Sequence, residues 1–185
     1  LGDVLALPLA ELIPDSSVTV VANLPYNVAM PVLFRLLELR ARFPRAVVML
    51  QREVAMRLVA APGSPARGVT SVLLQTFADV RIAFGVSRRS FLPRPQVDST
   101  VVDIRWRVEA RVDVGAPEVY RAVVRAAFSQ RRKMMRNAVA ALAESRGFPS
   151  ERLEAAFRTA GVEPTARAET LDLAAFGRLA RALGA

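Results

Sequence analysis

The chain has 185 residues, 52% of them hydrophobic, with 26 basic side chains against 17 acidic ones and a net charge of +9. It holds no cysteine and no histidine, which excludes a disulfide framework, thiolate or imidazole metal ligands, and an imidazole proton shuttle. Lys133 is the sole lysine, so the positive charge is carried by arginine, whose planar fork suits phosphates and nucleic acids, and no apolar run approaches the roughly 18 residues of a membrane-spanning helix.

Taken along the chain, residues 18–22 and 46–50 are short apolar runs rich in β-branched residues, which read as buried parallel strands. Between them, Pro31 to Arg42 has helical periodicity in Val32, Leu33, Leu36, Leu37 and Leu39, with Pro31 suited to a first helical turn. Arg52 to Ala61 predicts a second helix, ended by Pro62-Gly63-Ser64-Pro65, and Val69 to Ala78 a third. Val80 to Val86 and Val97 to Val108 alternate in polarity and predict a long hairpin around a loop containing Arg88 to Pro95. From Glu118 onward only helical patterns remain, over roughly 118–128, 130–146, 150–160 and 170–183, broken at Gly147-Phe148-Pro149 and at Gly161-Val162-Glu163-Pro164. The pattern predicts an α/β fold: the second half of a doubly wound, Rossmann-like domain over 1–109, then a small all-α domain over 110–185. The first half, where a Gly-rich cofactor loop belongs, is expected upstream of Leu1.

Four strings carry chemistry. Asn23-Leu24-Pro25-Tyr26 follows the first strand, at the carboxyl end where open α/β sheets bind ligands. The Asn23 side-chain oxygen and the Leu24 carbonyl, placed by the fixed φ of Pro25, can both accept from an exocyclic amine, and the Tyr26 ring can stack on its base. In Phe91-Leu92-Pro93-Arg94-Pro95-Gln96-Val97-Asp98-Ser99, two alternate prolines make an extended segment able to hold Phe91 opposite Tyr26, although Phe91 taken alone reads as a core residue. Arg121 to Arg136 contains six basic residues and no acid. Either one helix aligns Arg121, Arg125, Arg132 and Arg136, or Ser129 caps a new helix near Arg131; both give a cationic face. Asp3, the fourth candidate, can accept from an amine on a cofactor adenine.

Together these strings resemble the ribosomal RNA adenine dimethyltransferase family (KsgA/RsmA in bacteria, Dim1 in eukaryotes). The likeness runs through Asn23 to Val28, Leu50-Gln51-Arg52-Glu53-Val54, Phe91 to Ser99, Phe128 to Asn137 and Arg167-Ala168-Glu169-Thr170-Leu171. It implies a class I methyltransferase domain dependent on S-adenosyl-L-methionine, acting on N6 of two adjacent adenosines near the 3′ end of small-subunit rRNA. It also implies a cytoplasmic protein, monomeric and not bound to membranes, with a part in small-subunit biogenesis. By residue, it implies that Asn23, Leu24, Pro25, Tyr26 and Phe91 hold the target base and that Asp3 and Asn23 meet the cofactor. Arg131, Arg132, Lys133 and Arg136 would face RNA, while Gln51 and Glu53 match without a derived role. Lacking the Gly-rich loop, these 185 residues are expected to bind the cofactor poorly or not at all, so the activity is expected of the parent protein. Two alternatives stay open: a non-catalytic factor in small-subunit assembly, and an Erm-type methyltransferase of large-subunit rRNA.

Overall fold

The computed structural model describes residues 2–13, 18–25, 27–130 and 133–184. Its contacts fall into two compact units, 1–59 with 77–109 and 60–76 with 110–185. The first contains α1 (Leu9–Leu12), β1 (Thr19–Asn23), α2 (Ala29–Glu38), β2 (Arg45–Gln51), α3 (Arg52–Leu58), β3 (Ala78–Val86) and β4 (Ser99–Trp106). The strands form one sheet in the order β1-β2-β4-β3. β1 and β2 are parallel and β4 runs antiparallel to both of its neighbours, so the expected parallel pair and the expected hairpin share a sheet.

The inner face of this sheet carries Ala46, Val48 and Leu50 of β2 and Val102 and Ile104 of β4, all essentially inaccessible. Their alternation with more exposed residues follows from the period of two in a strand. β1 departs from the buried strand expected: it lies at the sheet edge, paired only with β2 among the described residues, and Val21 is 79% exposed. α2 turns Val32, Leu33, Leu36 and Leu37 inward. From its outer side Arg35 donates to the carbonyls of Leu5 and Leu7, tying the amino-terminal turn to the helix. Arg40 donates to the carbonyls of Arg107 and Val108 and stacks over the Phe77 ring at 4.9 Å, fastening the end of the hairpin.

The second unit contains α4 (Val69–Phe77, its last residue aside), α5 (Pro117–Phe128), α6 (Met135–Ser145), α7 (Ser150–Ala160) and α8 (Leu173–Gly184). Residues 60–76 thus group with the helices of 110–185 rather than with 1–59 and 77–109. The reason is polar as well as apolar. Arg67 is 2% exposed, and its guanidinium donates to the carbonyls of Ala60 and Leu171, at 2.8 and 3.2 Å. The Gly63 N–H donates to the Glu169 carbonyl, and Val72, Leu73 and Leu74 of α4 are buried.

The helix expected over 118–128 forms, but neither version of the cationic helix, continuous from Arg121 to Arg136 or newly started near Arg131, does. α5 stops at Phe128 because the Ser129 hydroxyl donates back to the Ala126 carbonyl at 2.7 Å, making Ser129 a carboxyl-terminal cap. α6 begins at Met135, after an extended Met134 that bridges to Arg167. α8 starts at Leu173 rather than 170, because the Asp172 carboxylate accepts from the Ala175 N–H at 2.7 Å.

Tyr120 of α5 is fully buried and its hydroxyl lies 2.7 Å from the Thr76 Oγ1. Burial disfavours the phenolate and pushes the Tyr120 pKa from 10.0 up to about 12. Between those values the unfolded chain has released the proton while the folded chain retains it, so stability falls as pH rises through the window. At about 1.4 kcal/mol per unit the fall amounts to about 2–3 kcal/mol. Tyr120→Phe removes this contribution. Chemical denaturation at pH 9.5 and 11.5 should show a smaller loss for the variant than for the wild type; equal losses would contradict the assignment.

Candidate active site

At its carboxyl end β1 sets Asn23 opposite Met49 of β2. The chain then leaves the sheet with one more backbone bond, from the Leu24 N–H to the Met49 carbonyl at 3.3 Å. The Leu24 side chain is 7% exposed. It anchors the turn in the core, so Leu24 can meet a ligand mainly through its backbone. The Pro25 carbonyl accepts from the Val28 N–H at 3.1 Å, leading into α2. Among the described residues the Asn23 amide and the Leu24 carbonyl have no further hydrogen-bond partner. Tyr26 lies outside the described residues.

The facing wall is the loop between β3 and β4, and it is tied at three points. The Arg88 N–H donates to the Asp98 carboxylate at 2.9 Å, the Arg88 guanidinium donates to the Gln96 carbonyl at 3.0 Å, and the Arg52 N–H donates to the Asp98 carbonyl at 3.0 Å. Ser87 opens a short 3-10 turn over Arg88–Ser90 by accepting from the Arg89 N–H, after which Phe91 is extended. Phe91, Pro93 and Pro95 all line one side of a cleft of about 280 Å³. Asn23, Leu24 and Pro25 line the other side, with Met49 and Ser99 between them. Leu92, whose bond to Pro93 is cis, is 99% exposed.

This cleft therefore brings together four of the five residues expected to hold a base: Asn23, Leu24, Pro25 and Phe91. Met49, Pro93, Pro95 and Ser99 line it as well, beyond the residues expected. The alternate spacing of the prolines with Phe91 was a usable signal for two of them, whereas Met49 and Ser99 follow only from the strand register.

Asp3 does not line the cleft. It sits in an exposed turn, where its carboxylate accepts from the Leu5 N–H at 2.9 Å and its carbonyl accepts from the N–H groups of Ala6 and Leu7. Of the two residues expected to meet S-adenosyl-L-methionine, only Asn23 opens onto the cleft. One amide and one carboxylate already engaged by its own turn do not by themselves make a site for that cofactor. Among the described residues no group of acidic side chains could hold a metal ion.

Of the four basic residues expected to face RNA, Arg131 and Arg132 lie outside the described residues. Lys133 is exposed. The Arg136 guanidinium lies 3.9 Å from the Glu154 carboxylate of α7, a neighbour invisible in the acid-free run 121–136. The N–H groups of Met135 and Arg136 donate to the carbonyls of Ala166 and Pro164, so the start of α6 is held against the 163–167 segment.

The profile of the ribosomal RNA adenine dimethylase family matches residues 3–183. The chain belongs to this family. It is 47% identical over 181 residues to ribosomal RNA small subunit methyltransferase A of Acidothermus cellulolyticus, covering 98% of this chain and 60% of that protein. The protein of the same name from Syntrophotalea carbinolica is 40% identical over 181 residues, covering 98% of this chain and 67% of its own length. The chain thus spans about three fifths of the length of the first of these relatives. In structure it is similar to a dimethyladenosine transferase from Plasmodium falciparum, with a TM-score of 0.79 at 22% identity over 96% of this chain and 69% of that one. It is also similar to the 23S rRNA methyltransferase ErmE, with a TM-score of 0.68 at 24% identity over 100% of this chain and 70% of that one. The mixed sheet and helices are those of the methyltransferase fold.

Asp98→Ala removes the acceptor of the Arg88 N–H and leaves the strands paired. A charged hydrogen bond of about 1.5–3 kcal/mol corresponds to amide exchange at Arg88 to Ser90 faster by roughly 10- to 100-fold, with the global unfolding midpoint little changed. Unchanged exchange at these amides would show that the Asp98 carboxylate does not hold the loop.

Proposed function

We propose that this chain is the acceptor-binding part of a ribosomal RNA adenine N6-dimethyltransferase, acting on two adjacent adenosines near the 3′ end of small-subunit rRNA. On this reading the sheet is the carboxyl-terminal half of a Rossmann-like class I methyltransferase domain. Residues 110–185 form a small helical domain that binds rRNA through Arg131, Arg132, Lys133 and Arg136. The partner is the immature small subunit, and the protein is a cytoplasmic monomer.

The observation that carries the reading is the cleft itself. The amide of Asn23 and the carbonyl of Leu24, without further partners among the described residues, stand on one wall, and Phe91 stands on a tied loop on the other. The family's methyl donor, S-adenosyl-L-methionine, supplies an activated methyl group. The chain's residues then have to orient the nitrogen, and no side chain has to act as a strong base. That agrees with the complete absence of histidine. The N6 lone pair of adenine is delocalised into the ring. Two acceptors on its N–H bonds, from Asn23 and Leu24, favour a pyramidal nitrogen with an available lone pair and stabilise the positive charge that develops on it. Stacking on Phe91 holds the base against the acceptors at about 1–3 kcal/mol, and the adenosine must be unstacked or flipped to enter. A monomethylated amine offers one N–H rather than two, so the second methylation uses one acceptor fewer.

In the complete gene product, Asn23→Ala should lower N6 methylation of small-subunit rRNA by about 10²- to 10³-fold, the cost of one preorganised polar partner, while RNA affinity is retained. Normal methylation by this variant would remove Asn23 from the site. Charge reversal at Arg131, Arg132 and Lys133 should weaken binding to the small subunit and flatten its salt dependence by about one unit of slope per lost phosphate contact. An unchanged slope would remove the basic cluster from RNA binding.

A further inference from the structure

On the other side of the tied loop lies a second and larger cleft, of about 540 Å³, which the reading above does not use. Gln51, Arg52, Glu53 and Met56 line it from the end of β2 and the start of α3, and Gln96 and Val97 line it from the loop. Its volume lies within the 300–1,000 Å³ typical of ligand sites.

The charges around this cleft are largely spent within the protein. Glu53 pairs with Arg57 one turn along α3, the Asp98 carboxylate accepts from the Arg88 N–H, and the Arg88 guanidinium donates to the Gln96 carbonyl. The groups without a partner among the described residues are the Gln51 and Gln96 side-chain amides and the Arg52 guanidinium. Met56 and Val97 add exposed apolar surface. Two neutral amides, one free guanidinium and an apolar flank make a poor site for a small ion. They suit a nucleotide: an amide can pair in bidentate fashion with the N6 and N7 of adenine, a guanidinium with a phosphate, and thioether and isopropyl groups with the face of a base.

The two clefts share their walls. Met49 borders the first and Gln51 the second, two residues apart on one face of β2 and so about 7 Å along the strand. Pro95 borders the first, and Gln96 and Val97 border the second. A third hollow, of about 410 Å³, shares Ser99 with the first cleft and Arg52, Met56 and Asp98 with the second. An RNA strand with one base in the first cleft has to place its next nucleotide within a single backbone step.

We propose that the Gln51–Gln96 cleft is a second, non-reacting base site that holds the adenosine adjacent to the one being methylated. This rests on the reading of the first cleft as the target-base site. It gives Gln51 and Gln96 the role of pairing with the neighbouring adenine and Arg52 that of meeting its phosphate.

The test is equilibrium binding of the chain, without methyl donor, to a synthetic RNA hairpin whose loop carries two adjacent adenosines. Versions with either adenosine made abasic, and with both made abasic, are measured alongside it. With two base sites, each single abasic RNA should bind about 5- to 100-fold more weakly than the intact hairpin, the span of one bidentate base contact, and the double abasic RNA more weakly still. Gln51→Ala with Gln96→Ala should bind the intact hairpin no better than the stronger single abasic RNA. Gln96→Ala alone, at an exposed loop position, should move in the same direction and guards against a folding defect. If one single abasic RNA matches the intact hairpin in the wild type while the double abasic RNA is weak, the second site is overturned and the first stands. If the double abasic RNA binds as tightly as the intact hairpin, both are overturned.

Discussion

The position of β4 between β2 and β3 sets the geometry of the candidate site. Its register places Ser99 against Gln51 on one side and against Val86 on the other, so the loop from Ser87 to Asp98 must begin and end beside the carboxyl end of β2. The parallel register of β1 with β2 brings Asn23 to the same level, opposite Met49. A slip of one residue between β1 and β2 would turn Asn23 to the face opposite Met49, and one between β2 and β4 would turn Ser99 to the face opposite Gln51. The bulge between Ile82 and Phe84 lets β3 change register without disturbing β4.

Much of this was legible in the sequence wherever local pattern and tertiary context agree. The β-branched runs at 18–22 and 46–50, the alternation before and after residue 90 and the string Phe91 to Ser99 each match an element or a wall of the cleft. Legibility failed where long-range polar contacts decide. No local pattern shows that Arg67 will find the Leu171 carbonyl, more than a hundred residues away, and carry residues 60–76 into the helical unit. No pattern within 121–136 shows that Ser129 will close α5 on Ala126 or that Glu154 will approach Arg136. The chemistry of Asp3 and the family resemblance both point to a cofactor amine, but its own turn claims that carboxylate.

The distribution of arginines separates structural from available charge. Arg35, Arg40, Arg42, Arg67 and Arg178 donate to backbone carbonyls, where a guanidinium satisfies several acceptors at once. Arg45 pairs with Asp103 between β2 and β4, and that hydrogen bond holds the Asp103 carboxyl below its ordinary pKa. These bonds leave each guanidinium charged, so the net charge of +9 still attracts a polyanion, while the location of the cations not held by the fold decides where direct contact forms.

The excursion of residues 60–76 into the helical unit means that the backbone passes between the two units more than once. A single recombination point at residue 110 would separate Arg67 from the Leu171 carbonyl and Thr76 from Tyr120, leaving one arm of a buried guanidinium and the buried Tyr120 hydroxyl without these partners. Exchange of helical units between relatives by one crossover is thereby disfavoured: a viable chimera has to bring its own 60–76 segment with the helices it packs against.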